Sequence, residues 1–399
     1  MLTQTQRERY ADVLLWGLKT ARAEKFKKGD VVLIRSDLAA LPLAEVLYPR
    51  LLEEGFNTVV RLGITECMEK DFYRISDSSQ LVFRTPGEQE LIGALNGSIS
   101  LRAPSSITHL SSIDPAKIGR AIVSRKYLSD ILDNREASGA FGWTLCMYPT
   151  GELARAAGMT AEDYADQIVK ACFLGRRDPV SLWKDIHKDA QSIKKWLNSL
   201  KVKFFRVESE HIDLEIFPGE RRKWIGISGH NIPSFELFLS PDWRGTSGIY
   251  YADQPSYRSG NLARGVRLEF RNGSAVDIDA EVGREFVQKQ LSMDEGASRI
   301  GEFSLTDKRF SKIDRYMANT LYDENYGGRN GNCHIAVGAS YSDTYDGNAA
   351  ELTKEKKARL GFNDSALHWD LVNTQDKRVT AHLEGGETKT IYEKGMFTC

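Results

Sequence analysis

The chain has 399 residues, 41% hydrophobic and 27% charged, with 55 acidic residues against 54 basic ones and a formal net charge of -1. That length gives room for two or three domains with ample core, and the charge balance gives no sign of a nucleic-acid or membrane partner. The five cysteines (Cys67, Cys146, Cys172, Cys333, Cys399) are scattered without a CxxC pair, which argues for reduced thiols and against a zinc ribbon or disulfide framework. The N-terminus starts polar, and no uncharged run approaches membrane-spanning length. A soluble, cytoplasmic protein is expected, so the Asn-x-Ser triplets at Asn96, Asn272 and Asn363 carry little meaning.

Residues 4–25 have helical spacing, with Tyr10, Val13, Leu14, Leu18 and Ala21 on one stripe and Gly17 on the same face. Residues 31–35 read as a buried strand, 43–54 as a helix that Pro49 should kink or interrupt, and 58–62 as a second strand. This is a βαβ unit, and it predicts a parallel α/β domain. No glycine-rich phosphate fingerprint follows the first strand, where Ser36-Asp37-Leu38 stands instead. Further strands are expected at 106–110, 120–123 and 142–147. Residues 149–200 read as helical, with Thr160 to Asp163 resembling a capping box and with Trp183 and Trp196 packing inward. This stretch is a natural bridge between an N-terminal domain, residues 1–200, and a C-terminal domain, 201–399.

Beyond residue 201 the texture turns to β, with strands expected at 202–207, 212–216, 235–239, 248–251, 265–270 and 275–280. Helices are expected at 282–291 and 310–321. Two further strands follow, residues 333–341 (Cys-His-Ile-Ala-Val-Gly-Ala-Ser-Tyr) and 366–370 (Ala-Leu-His-Trp-Asp).

In the last of these, His368 and Asp370 are two apart and leave the same face of a strand, a geometry suited to chelating a metal. Glu236 and Glu302 each sit among apolar neighbours, where an ionised carboxylate needs a partner unless it points into water. His334 suits either a metal ligand or a hydrogen-bonded core histidine, and Tyr341 either core or a hydrogen-bonded phenol. Glu324 equally suits a surface acid at a helix end. Composition and periodicity suggest a metal site and stop there.

Taken together, the segments resemble the aminopeptidase T family of metalloaminopeptidases, the AmpS and PepS type. The family pattern runs Asn-Ile/Leu-Pro with a nearby Glu, Arg-x-Gly-Glu, Leu-x-Asp-Glu-Asn, His-x-Ala-x-Gly-x-x-Tyr and Ser-x-x-His-x-Asp. Here these are residues 231–236, 299–302, 321–325, 334–341 and 365–370, in the same order. Lys28-Gly-Asp-Val-Val, Tyr148-Pro-Thr150 and Ala156-Ala-Gly-Met-Thr160 extend the likeness upstream.

The resemblance implies an α/β N-terminal domain, a mixed α+β catalytic domain, and two divalent cations (zinc, cobalt or manganese) held by Glu236, Glu302, His334, His368 and Asp370. It further implies peptide substrates, a metal-activated water, and a homodimer whose active sites face an internal cavity. Tyr341 would be a ligand or catalytic phenol, Glu302 catalytic as well as ligating, and Glu324 the proton shuttle. Two departures stand out. Residues 325–333 are a glycine-rich insertion, expected to loop beside the site, and Phe235 replaces a glycine, which would reshape the pocket. Mononuclear iron dioxygenases of the same superfamily and a noncatalytic scaffold are the competing readings.

Overall fold

Thr3 opens the first helix, α1 (Gln4–Ala21): its hydroxyl accepts from Gln6 N while the Gln6 side chain accepts from Thr3 N. This is a capping box. The computed structural model describes residues 1–348 and 351–399. Its contacts separate into two units, Met1–Trp183 with Ser228–Pro233, and Lys184–Ile227 with Ser234–Cys399.

In the first unit β1 (Val31–Ser36), α2 (Leu41–Glu53) and β2 (Asn57–Leu62) form the expected βαβ, and α2 runs uninterrupted through Pro49. Then come α3 (Glu66–Ile75), α4 (Ser78–Leu81), α5 (Glu88–Ala94), β3 (Gly97–Arg102), α6 (Pro115–Ser124), α7 (Lys126–Ala137) and β4 (Gly142–Met147). Residues 120–123, expected as a strand, lie in α6, where Asp114 caps the helix by accepting from Ala116 N. Residues 106–110 are turns instead of strand, organised by the Ser106 side chain and carbonyl. After α8 (Gly151–Ala156) and α9 (Ala161–Ala171), capped by Thr160, the long α10 (Pro179–Ser199) carries the chain onward. Trp183 is fully buried and Trp196 half-buried.

The second unit opens with β5 (Val202–Ser209) and β6 (Asp213–Ile216). The chain then revisits the first unit, where β7 (Asn231–Ile232) completes a parallel sheet of order β2-β1-β3-β4-β7. The remaining elements are β8 (Glu236–Leu239), β9 (Ser247–Ala252), β10 (Ser256–Arg258), β11 (Asn261–Ala263), β12 (Val266–Arg271), β13 (Ser274–Asp279) and α11 (Arg284–Leu291). They continue with β14 (Ile300–Thr306), α12 (Thr320–Asp323), β15 (Asn332–Gly338), α13 (Lys354–Arg359), β16 (His368–Asn373), β17 (Lys377–Leu383), β18 (Thr388–Glu393) and β19 (Met396–Phe397). An eight-stranded sheet (β13-β12-β9-β6-β5-β17-β18-β19) packs against a four-stranded antiparallel one (β16-β15-β14-β8), with Phe205 and Trp224 meeting Phe303 between them. Among the described residues no helix is long and apolar enough to cross a membrane.

The helix expected at 310–321 shrinks to α12. Asp307 accepts from Arg309 N, Ser311 from Ile313 N, and Asp323 from both Met317 N and Asn319 N. Side chains that capture backbone N–H groups in this way compete with the helical ladder.

Gly17 has a packing role in α1. A Cβ there would come 2.8 Å from Gly229 O, and one on Gly229 would come 2.4 Å from Gly17 O. The helix therefore lies directly on the chain entering β7. Replacing Gly17 with Val should destabilise the fold by roughly 1–3 kcal/mol through overpacking. Guanidinium denaturation followed by circular dichroism measures it, and an unshifted midpoint would contradict this packing.

Candidate metal centre

The four-stranded sheet collects the acids and imidazoles singled out in the sequence. Glu236 lies on β8, Glu302 on β14, His334 on β15, and His368 and Asp370 on β16. The register aligns Glu302 with Ala336 and Asp370, Ser304 with Phe238 and His334, Thr306 with Glu236, and Gly338 with His368. Since side chains alternate with period 2, all five candidate residues leave one face, separated there by small residues such as Ser304, Ala336 and Gly338. The opposite face carries Leu237, Leu239, Phe303, Leu305, Ile335, Val337 and Leu371, all buried.

A register shift between Ile300 and Glu302 precedes the central carboxylate. Such a bulge re-aims the side chain that follows it. Gly301 allows the bulge, because a Cβ there would sit 2.3 Å from Ala339 O.

The donor atoms converge. His334 Nε2 lies 3.1 Å from Glu302 Oε1, 3.3 Å from Glu236 Oε2 and 4.0 Å from Asp370 Oδ1. His368 Nε2 lies 3.4 Å from Asp370 Oδ1 and 3.6 Å from Glu302 Oε2. Two triads of donors, Glu236–Glu302–His334 and Glu302–His368–Asp370, each fit within 4.8 Å, and Glu302 belongs to both. The Nδ1–H of His368 is oriented by Ala339 O at 2.8 Å, leaving Nε2 for the site, as is usual behind a metal-binding imidazole. Ser304 Oγ donates to Glu236 Oε2 at 3.2 Å.

The electrostatics demand positive charge. Burial pushes Glu236 up to about 8, against the pull of His334 and with the repulsion of Glu302 and Asp370. Burial opposes protonation of His334, yet its hydrogen bond to Glu302 and the surrounding carboxylates hold it at about 9. His368 also reaches about 9, despite burial, chiefly through Asp370. Asp370 is drawn down to about 2 by His368, again against burial. Protonated imidazoles thus occupy the position of a cation, and the oxygen-and-nitrogen donor set suits a divalent metal ion.

Glu324 follows α12 and is buried beside this group. Burial first, then the repulsion of Glu236, Asp370 and Glu302, lifts it well above the carboxylate range. Its carbonyl accepts from Thr306 Oγ1 at 3.2 Å and Asn332 Nδ2 at 3.0 Å. The glycine-rich insertion forms the turn into β15, tied down through Gly327 N and Gly328 N to Ile313 O and through Asn330 to Thr374 O. Tyr341 is 44% exposed, with its ring 4.6 Å from that of His368 and 5.8 Å from that of Phe238. Phe235 is completely buried.

Sequence reasoning passed over Asn325 as a working residue, although it stands within Leu-x-Asp-Glu-Asn. Its Oδ1 accepts from Phe235 N at 2.5 Å and its Nδ2 donates to Leu321 O at 2.9 Å, tying the entry of β8 to the turn that carries Glu324.

The family model described as thermophilic metalloprotease (M29) matches residues 3–397. The chain belongs to this family. Aminopeptidase 2 of Geobacillus stearothermophilus is 26% identical over 394 residues, covering 92% of each chain. Aminopeptidase AmpS of Bacillus subtilis (strain 168) is 27% identical over 396 residues, covering 92% of this chain and 94% of AmpS. The solved structure of wild-type AmpT from Thermus thermophilus superposes with a TM-score of 0.80 at 20% identity, over 98% of this chain and 99% of that one, and shows the same fold.

Asn325→Ala should reduce activity or metal affinity by roughly 10–100-fold, the usual cost of removing a group that orients a metal site. Far-UV circular dichroism should stay unchanged. Full activity at matched metal loading would show that the tie is dispensable.

Proposed function

We infer that this metallopeptidase is an aminopeptidase that hydrolyses the first peptide bond of peptides at a centre holding two divalent cations. The observation carrying the reading is the pair of donor triads sharing Glu302, within a chain that matches the M29 family from end to end. The relatives named aminopeptidases support the same activity. Glu236 and His334 complete one triad and His368 and Asp370 the other. Glu302 turns one oxygen to each histidine, which supports reading it as a residue that both cations would share. Oxygen and imidazole ligands without cysteine suit zinc, cobalt or manganese.

Divalent ions held by these residues would supply an acidified water and polarise the peptide carbonyl. Glu324 stands outside both triads, held by Thr306, Asn332 and Asn325, and carries the proton from the attacking water to the departing amine. Tyr341, its ring 4.6 Å from that of His368, donates from its phenol to the oxygen where charge develops. A free substrate α-amine would bind one of the cations or an acidic side chain beside them, which would restrict cleavage to the first residue. No observation favours the dioxygenase or the noncatalytic scaffold.

The test pairs metal analysis with leucine-anilide hydrolysis after chelation and re-addition of zinc, cobalt or manganese. Wild-type protein should hold about two ions per chain and regain activity on re-addition. Glu302→Gln should lose metal and hydrolysis together. Glu324→Gln should keep its metal and lose roughly 10²–10⁴-fold in kcat, the usual contribution of a positioned acid–base group. Full activity in the metal-loaded Glu324 variant would assign the proton transfer elsewhere, and a Glu302 variant with intact metal content would sink the shared-ligand arrangement.

A further inference from the structure

The outer edge of β16, the strand bearing His368 and Asp370, is closed by residues 251–258. Asn373 Nδ2 donates to Tyr251 O at 2.9 Å, Gln254 N to Val372 O at 3.3 Å, and Trp369 Nε1 to Ser256 Oγ at 2.9 Å. Thr374 donates from N and Oγ1 to Asp253 at 2.8 and 2.6 Å. The last tie is a cation: Arg258 Nη1 donates to His368 O at 2.8 Å, with the guanidinium 5.7 Å from the Trp369 ring centroid. Its Nε is buried and meets no acceptor among the described residues.

We propose that Arg258 makes the two metal positions unequal, so that the one formed by Glu302, His368 and Asp370 holds its cation more weakly and exchanges it. The inference rests on the dinuclear reading. Exposure points the same way, since the His368 and Asp370 side chains are 22% and 14% exposed against 1% and 8% for His334 and Glu236. A fixed guanidinium repels a dication beside it, and the repulsion falls with distance. Adjacent strands lie about 4.8 Å apart, and Glu236 stands on β8, three strands from β16, so the inner position feels Arg258 less. In exchange, the guanidinium fixes the His368 carbonyl and offsets part of the carboxylate repulsion before metal arrives.

Calorimetric titration of zinc into chelator-stripped protein tests this directly. Wild-type protein should bind in two steps about tenfold or more apart, and His368→Ala should delete only the weaker. Arg258→Gln, which keeps a donor and removes the charge, should tighten the weaker step by about fivefold or more and leave the stronger alone. Arg258→Lys, retaining charge and donor, should reproduce wild type. Two equal steps in wild type would overturn the inequality, and a weaker step that Arg258→Gln loosens or leaves untouched would overturn the part played by Arg258, in either case with the dinuclear reading left standing. Fewer than two zinc ions bound by wild type would overturn the dinuclear reading and this proposal with it.

Discussion

Carboxylates buried together repel each other, and the second unit is organised around that repulsion. Glu236, Glu302, Asp370 and Glu324 converge in a region where Glu236, Glu302 and Glu324 are each less than a tenth exposed. Leaving such charges uncompensated costs several kcal/mol per ion, so the surroundings must supply cations or take up protons. Without metal they do both: His334 and His368 are held protonated while Glu236 and Glu324 are pushed towards their neutral forms. Divalent cations would answer the same demand more completely, so the charge distribution supports the metal reading.

Holding mutually repelling groups at hydrogen-bonding distance needs a stiff frame. β14 and β15 are buried along their whole length, and between them they carry the central glutamate and histidine. Their apolar face supports the sheet through contacts such as Phe303 with Phe205 and Trp224. Strands fixed on one face by close packing position side chains on the other more accurately than loops do. Glu324 is the exception. It lies on a turn, and hydrogen bonds from Thr306, Asn332 and Asn325 replace what a strand would have supplied.

Much of this was legible in the sequence because strand alternation is local. His368-x-Asp370 announces a shared face with no knowledge of the fold, and the βαβ unit over β1, α2 and β2 follows from short apolar runs. Where the reading failed, a longer-range or side-chain effect decided the outcome. Ile118, Ala121 and Ile122 belong to a helix started by Asp114, yet four apolar-rich residues inside it pass equally for a strand. The apolar spacing over 310–321 is real, but Asp307, Ser311 and Asp323 take the backbone N–H groups that a helix needs. Asn325 gave no signal of its own, because its partner Phe235 lies ninety positions away in sequence.

The residue and the segment expected to depart from the family pattern lie in enclosed or hydrogen-bonded surroundings. Phe235 immediately precedes Glu236, the first residue of β8. Its side chain is fully enclosed, as are those of Leu237 and Phe303. The insertion behaves similarly. Asn332 ends it by donating to both Glu324 O and Tyr326 O, so the added residues close back on the turn they lengthen. A bulky side chain and a glycine-rich loop stand beside the candidate metal centre, while the face that bears the donors carries small spacers and converging acids.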